Sequence, residues 1–445
     1  MDNILILGSG LSGMGACKLA ISQNINTRIS DANNITQTNK KVFKKHDILW
    51  EEGKHSLSNL DWANYIVKSP GISNNIDFLK EATKRNVPII SEIEFAFRFI
   101  KNDSKIIAIT GSNGKTTTSK LIYYILKKAG FDVEVCGNSF STSFSEKITQ
   151  NNSQYYVLEL SSFQLENIVE FQPDISILLN LSPDHLDQYD LDTDKYYDTK
   201  MRINSNQTKE DVFIYFSDDS NINKRLHKCP EVTTMPFGDL KHAKNIAWID
   251  NKKLIINHKK IFTMVLHEMA LQGRHNVYNS MAAGIAAKIF GVNNDILRQC
   301  LSDFKGVEHR LEPVLKLDEK LFINDSKATN CNSVFFALET VKSPTIWICG
   351  GVDKGNDYSV LDDLVKQKVD SILVIGEASK KIENHFKKIV PYIAQVKSMQ
   401  DAVLQANQIS SPGHTILLSP ACSSFDMFQD YQERGRIFKE CVFNL

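Results

Sequence analysis

The chain has 445 residues, with 52 Lys+Arg set against 52 Asp+Glu and 42% hydrophobic residues. At roughly 150 residues per domain, that length accommodates about three domains, each with its own core. A formal net charge of zero argues against a nucleic-acid protein, which needs a cationic excess to displace counterions, and no apolar stretch approaches the ~18 residues of a membrane span.

The start, MDNILILGSG, reads as an apolar strand and lacks the basic leader and small-residue cleavage site of a signal peptide. The eight cysteines are dispersed with no CxxC pair, so reduced, buried thiols are expected. A soluble cytoplasmic protein is the expectation. In chain order, apolar runs predict strands at Ile4–Leu7, Tyr65–Lys68, Lys105–Thr110, Tyr155–Glu159, Ile175–Leu179, Leu321–Asn324, Thr345–Cys349, Ile372–Ile375 and Thr415–Leu418. Near-continuous hydrophobicity within each implies burial on both faces, as in a parallel sheet covered by helices. Helical spacing of Leu121, Ile122, Ile125 and Leu126 predicts a helix over Thr116–Ala129, ended by Gly130, and Asn279–Phe290 reads as another, ended by Gly291. The fold class is therefore α/β. Residues 205–265 are polar and resist assignment. KNDS near 100–104 and DFKGVEHRLEP near 303–314 look like boundaries, giving segments 1–100, 101–305 and 306–445.

Gly8-Ser9-Gly10-Leu11-Ser12-Gly13 fits G-x-G-x-x-G after a strand, and Asp31 closes the next strand. Such a loop suits a dinucleotide, a mononucleotide, or only a tight strand-to-helix turn. Thr110-Gly111-Ser112-Asn113-Gly114-Lys115-Thr116-Thr117 is sharper, because it joins strand KIIAI to a helix. Its amides would cradle phosphates, Lys115 would neutralise β/γ oxygens, and Thr116 would offer a hydroxyl to Mg²⁺. It departs from the strict phosphate-loop pattern, with Ile109 where the first glycine belongs. Glu159 ends a buried strand, where a carboxylate is costly unless paired or metal-bound; the duller reading is a helix cap, which Ser161 or Ser162 could supply instead. His185 in SPDHLD follows as a candidate metal or phosphate contact. Lys200 would ordinarily be an exposed helix lysine, and Cys422 a small buried thiol. Nearly every polar or glycine cluster follows a strand, where open α/β sheets bind ligands.

Taken together, the sequence resembles the Mur ligase family over essentially its whole length. The family's loop, G-[ST]-N-G-K-[ST], accounts for the departure at Ile109. ELSSFQLE, DHLD, TKMRI, GRHNVYN with Asn276 and Asn279, His309-Arg310 and NDSKATN also match. SPACSSFDMFQDYQERG resembles the D-glutamate-adding branch. The resemblance implies three domains, each on a mainly parallel sheet: a Rossmann-like UDP-substrate domain, a central ATPase domain with the phosphate loop, and a Rossmann-like amino-acid domain. It implies an ATP-dependent amide-bond ligase acting on UDP-N-acetylmuramoyl-L-alanine and D-glutamate, as a monomer without nucleic-acid or membrane partners. The implied catalytic residues are Lys115, Glu159, His185 and Lys200. Gly111, Ser112, Asn113, Gly114, Lys115, Thr116, Thr117, Asn279, Arg310 and Asp325 would bind ATP. Two Mg²⁺ or Mn²⁺ sites would use Thr116, Glu159, His185 and Lys200, the last as a carbamate. Leu11, Ser12, Asp31, Gly71, Asn138 and His185 would hold the UDP-substrate, although Ala32-Asn33 replace the usual Thr-Arg after the aspartate. Lys327, Thr329, Lys354, Ser424 and Tyr431 would receive D-glutamate.

Overall fold

The alternation of apolar residues decides which layer each strand covers. In a computed structural model that describes residues 2–150, 153–241, 244–341 and 344–445, Ile4, Leu5, Ile6 and Leu7 are all fully buried, but in two cores. Ile4 and Ile6 pack with Ala16, Leu19 and Ala20 of the helix Leu11–Ser22, whereas Leu5 and Leu7 pack with Leu60, Phe78 and Leu79. A strand sandwiched in this way must be apolar at every position, and each fully buried Leu or Ile contributes roughly 1.5–3 kcal/mol.

Three sheets follow from such runs. The first comprises β1 (Asn3–Leu7), β2 (Asn26–Asp31), β3 (Leu49–Glu52), β4 (Tyr65–Lys68) and β5 (Ile89–Ser91), all parallel, in the order β3-β2-β1-β4-β5. The second holds β6 (Lys105–Thr110), β7 (Val133–Gly137), β8 (Tyr155–Glu159), β9 (Ile175–Leu178), β10 (Val212–Phe216), β11 (Thr233–Phe237), β12 (Ala247–Asp250), β13 (Lys253–Ile256) and β14 (Phe262–Val265). Their order is β14-β13-β12-β11-β10-β9-β6-β8-β7, with only the β12-β13-β14 edge antiparallel. The third runs β15-β16-β20-β17-β18-β19, from β15 (Glu312–Leu317), β16 (Lys320–Asn324), β17 (Thr345–Gly350), β18 (Val369–Ile375), β19 (Tyr392–Gln395) and β20 (Thr415–Leu418). There only β15 is antiparallel to its neighbour.

The stretch 205–265, unreadable from sequence, builds five of these strands. Strands β13 and β14 of its antiparallel edge alternate buried with less buried positions, so they lack the continuous burial of the central strands. The expected helix at Asn279 begins earlier, spanning Arg274–Ile289, and the phosphate-loop helix spans Lys115–Lys128. No helix among the described residues is long and apolar enough to cross a membrane.

The chain divides into two units, residues 1–181, 192–265 and 278–301, and residues 182–191, 266–277 and 302–445. The first unit contains both the first and second sheets, and the short helix Glu92–Phe97 fastens them. Glu92 Oε1 accepts from the Ser145 amide at 2.6 Å, and Glu94 Oε2 accepts from the consecutive amides of Val169, Glu170 and Phe171 at 2.8, 3.0 and 2.9 Å. Both carboxylates are buried, and Lys18 adds an ion pair to Glu146.

Candidate functional site

β6 lies between β9 and β8, the position in the second sheet where neighbouring connections diverge and a crevice opens beyond the strand ends. The Gly111–Gly114 loop leaves β6 there. Gly114 has φ +88, and a Cβ on it would lie 2.3 Å from Asn279 Oδ1, so this turn requires glycine. Gly114 is the N-cap of the helix Lys115–Lys128 and supplies no side-chain acceptor, which leaves that end to amide donors and the positive end of the helix dipole. Asn180, just past β9, splints the loop. Its Oδ1 accepts from the Asn113 amide at 2.8 Å, its Nδ2 donates to the Asn113 carbonyl at 3.0 Å, and its own carbonyl accepts from the Ser112 amide at 3.0 Å.

Two ammonium groups converge on this loop. Lys115 Nζ donates to the Gly111 carbonyl at 2.7 Å and the Ser112 carbonyl at 2.9 Å. Lys200, from the helix Thr193–Met201, donates to the same Gly111 carbonyl at 3.1 Å. It is not the exposed lysine of a simple helix reading. It is 1% exposed and lies over the Tyr196 ring, 4.7 Å from its centroid, a favourable place for a cation. Thr116 and Thr117 are buried beside Lys115.

Glu159 ends β8, in register with Ile109 of β6. It is fully buried; Oε1 accepts from Ser139 Oγ at 2.8 Å and Asn138 Nδ2 at 3.2 Å, whereas Oε2 has no hydrogen-bond partner. The cap reading fails, because Ser161 and Gln164 form a complete capping box on the helix Ser162–Leu165. A buried carboxylate oxygen without a donor is costly by itself and suits a hard metal ion, for which carboxylate and hydroxyl oxygens are the matching donors. Gly137, with φ +110, brings the neighbouring strand close, and a Cβ there would meet the Glu159 carbonyl at 2.2 Å.

At the end of the first sheet, Asp31 holds its own loop. Oδ2 accepts from the Ser9 amide and hydroxyl at 2.6 and 2.7 Å, and Oδ1 accepts from the Asn33 amide at 2.9 Å. Burial pushes its carboxyl up, but these bonds outweigh it and leave the group below the usual carboxylate range. Asp31 and Gly71 line a cavity of about 610 Å³ together with His55 and Phe78. Leu11 and Ser12 open the helix Leu11–Ser22. Asn138 turns its amide to Glu159, the link described above.

In the second unit, Asp325 is buried at the end of β16 and accepts from Ser419 Oγ at 2.9 Å and the Leu311 amide at 3.1 Å. Burial raises its carboxyl to about 6, opposed by the Arg310 guanidinium. Lys327 Nζ lies 5.1 Å from the Tyr431 ring centroid, and Thr329 follows in the same loop. His185, in the left-handed region at φ 53, has Nδ1 3.4 Å from Lys354 Nζ, and its neighbour Asp184 accepts from Asn330 Nδ2 at 3.1 Å. Ser424 is 2% exposed. Cys422 is fully buried with its thiol pushed up by burial to about 11, which suits packing rather than nucleophilic attack.

Of the expected residues, the first unit thus gathers Lys115, Thr116, Glu159, Lys200 and Asn279 about one loop, while His185, Arg310, Asp325, Lys327, Thr329, Lys354, Ser424 and Tyr431 belong to the second unit. Sequence reading missed Asn180, Ser139 and Arg434. Asn180 and Ser139 follow strands, and that position was the available signal. Arg434, in the helix Tyr431–Phe443, lies inside the run SPACSSFDMFQDYQERG, but nothing in that run singles it out. It is 1% exposed and donates to Ser326 Oγ at 3.0 Å, the Ser326 carbonyl at 2.9 Å and the Cys422 carbonyl at 3.1 Å. Burial lowers its guanidinium to about 10.

Comparison with known proteins gives a consistent result. Residues 2–91 match the family model described as Mur ligase MurD-like, N-terminal domain; residues 109–287 match the Mur ligase middle domain; residues 309–422 match the Mur ligase, glutamate ligase domain. A Bacteroides fragilis protein named UDP-N-acetylmuramoylalanine–D-glutamate ligase is 43% identical over 444 residues, covering 99% of each chain. A Christiangramia forsetii protein of the same name is 44% identical over 445 residues, again covering 99% of each. Among solved structures, MurC from Thermotoga maritima aligns over 100% of both chains with a TM-score of 0.61 and 19% identity. MurF from Acinetobacter baumannii aligns over 93% of this chain and 91% of its own, with a TM-score of 0.63 and 16% identity. At that identity the two structures speak to fold.

Proposed function

The chain belongs to the Mur ligase family, and from that premise we propose that it joins D-glutamate to UDP-N-acetylmuramoyl-L-alanine with ATP, as a step of peptidoglycan precursor synthesis. In this reading residues 1–100 bind the UDP-substrate, 101–305 bind ATP and 306–445 bind D-glutamate. The enzyme works as a cytoplasmic monomer. The observation that carries the reading is the convergence of Lys115 and Lys200 on the Gly111 carbonyl, at a helix N-terminus next to half-partnered Glu159.

The chemical difficulty is that two anions must meet. The L-alanine carboxylate attacks the γ-phosphorus of ATP, and ADP leaves; the D-glutamate amine then attacks the acyl phosphate, loses a proton, and expels phosphate as the amide forms. Like charges at ~4 Å repel by about 4 kcal/mol even at an effective dielectric near 20. Lys115 relieves this by moving from loop carbonyls to phosphate oxygens, a change from neutral to charged acceptors that strengthens each bond. The loop amides, fixed by Asn180, hold the phosphates without reorganising during the reaction. Thr116 and Glu159 are the residues that would hold one Mg²⁺ or Mn²⁺, which would neutralise phosphate charge; carbamylated Lys200 in the first unit and His185 in the second are each candidate ligands for a further ion. Addition of CO₂ to Lys200 would replace its ammonium with an anionic oxygen donor. Arg310 and Asp325 contact the nucleotide, and Lys327 and Lys354 pair with the D-glutamate carboxylates, with Thr329, Ser424 and Tyr431 donating hydroxyls.

Phosphate release tests the assignment. The expected result is release that requires D-glutamate and the UDP-substrate together; release with neither, or with folate and L-glutamate in their place, would overturn it. Intact-mass analysis in ambient CO₂, together with turnover by Lys200→Ala, tests the carbamate. Free-amine mass and full activity in that variant would remove it.

A further inference from the structure

We propose that His55 reads the nucleobase of the UDP-substrate, its Nε2 accepting the imide N–H of a pyrimidine-2,4-dione. The inference rests on the UDP-substrate reading above and adds to it a residue that fixes which base is accepted.

A chain of hydrogen bonds sets the tautomer. Ser30, fully buried in β2, has one hydroxyl proton and three neighbours that could take it: Glu51 Oε1 at 2.7 Å, the Lys54 carbonyl at 3.3 Å and His55 Nδ1 at 2.6 Å. Glu51 Oε1 also accepts from the Ser56 amide and Asn59 Nδ2, both at 2.8 Å. Burial pushes the Glu51 carboxyl up, but these donors outweigh it and hold the group below its usual range, so it is a carboxylate and can only accept. The Ser30 hydroxyl therefore donates its proton in a hydrogen bond to Glu51 Oε1, the closest charged acceptor. With its proton committed, Ser30 Oγ meets His55 with lone pairs, and a contact of 2.6 Å requires Nδ1 to carry a hydrogen. In neutral imidazole the other nitrogen is then bare.

His55 lines the cavity of about 610 Å³, and with Nδ1 turned to Ser30 the bare Nε2 is its remaining polar atom. The Phe78 ring, 5.4 Å away and tilted 43°, supplies an aromatic wall alongside. The Asp31 oxygens in the same lining already accept from the Ser9 amide and hydroxyl and from the Asn33 amide, so an aromatic flank with an acceptor at Nε2 suits a base that offers an N–H. Uracil offers N3–H, whereas cytosine offers a lone pair at the same position and would be repelled. His55 stands past the end of β3, beside the β2 end that carries Asp31, so it would approach the base from a second strand end. The charged groups facing the ring are Glu51 and Asp31; burial nevertheless keeps the imidazole below its ordinary value, and so neutral at pH 8.

Calorimetric titration of the full-length protein at pH 8 with UDP, CDP and 3-methyl-UDP tests this. UDP is expected to bind about tenfold more tightly than either analogue, the worth of one hydrogen bond. His55→Phe keeps a ring against Phe78 and should weaken UDP about tenfold while leaving 3-methyl-UDP unchanged. Equal affinities of wild-type protein for UDP and 3-methyl-UDP would overturn the proposal without any variant, as would an unchanged UDP/3-methyl-UDP ratio in His55→Phe. In either case saturable UDP binding leaves the substrate reading intact. Failure of UDP to bind wild-type protein would instead strike that reading itself.

Discussion

Asp325→Asn should stabilise the protein while impairing it as an enzyme. The buried carboxyl is raised from 3.8 to about 6 by burial, against the opposing Arg310 charge and two hydrogen bonds. At about 1.4 kcal/mol per pKa unit, its ionised form weakens the fold by about 3 kcal/mol relative to its protonated form. The folded protein retains this proton up to about pH 6, whereas the unfolded chain releases it near 3.8, so the folded state binds more protons in that window. Stability therefore falls as pH rises through it and the loss is complete above about pH 6. Asparagine is the neutral isostere. Its Oδ1 still accepts from the Leu311 amide, and its amide nitrogen can donate to Ser419 Oγ, which reverses its role. The variant should gain about 1–3 kcal/mol at pH 7.5 and almost nothing at pH 4. Urea titrations with hydrogen exchange read on β16 and β20 peptides measure the local stability, avoiding a single global transition in a multidomain chain. Parallel pH–stability curves for wild type and variant would refute the reasoning. Turnover should drop in the same variant, because the proposed nucleotide contact loses its charge.

Three other substitutions test separate parts of the site. Asn180→Ala removes two bonds to Asn113 and should raise the KM for ATP by roughly tenfold with little change in melting temperature, read by steady-state kinetics and calorimetry. Arg434→Met leaves buried carbonyls of Ser326 and Cys422 without a donor, which should destabilise by roughly 2–5 kcal/mol and raise the KM for D-glutamate more than that for ATP. Gly137→Ala forces a Cβ against the Glu159 carbonyl and should lower stability by about 1–3 kcal/mol, with a larger proportional loss of turnover than a surface variant of equal stability.

The sequence showed most clearly what burial on two faces demands. Ile4–Leu7 and Thr345–Cys349 are apolar at every position because both sides of their sheets are covered, and their strands stand where expected. At the antiparallel edge, β13 and β14 alternate buried with less buried positions, and β12 is buried only in its first half; at four residues each, such runs do not stand out amid the polar stretch around them. The phosphate loop was legible because its chemistry requires glycine, lysine and threonine at fixed spacing. Asn180 was not, since its two bonds to Asn113 span 67 positions and depend on β9 lying beside β6. Arg434 was hidden for a similar reason: 108 positions separate it from Ser326, and a lone arginine on an amphipathic helix reads as surface. Asp31 was read as a ligand contact, yet its bonds to Ser9 and Asn33 show that the same carboxylate also shapes the loop it belongs to.

Glu92 and Glu94 do more than join two sheets. By clamping amides of Ser145 and of Val169 through Phe171, they set a constant span between the His55 cavity and the Gly111 loop, both in the first unit. Under the proposed function that separation would act as a gauge: a substrate seated by its nucleotide at one end would bring its far carboxylate to the other only if the intervening reach is right. Analogues with a shortened or extended sugar-to-acid tether would then be expected to bind without reacting.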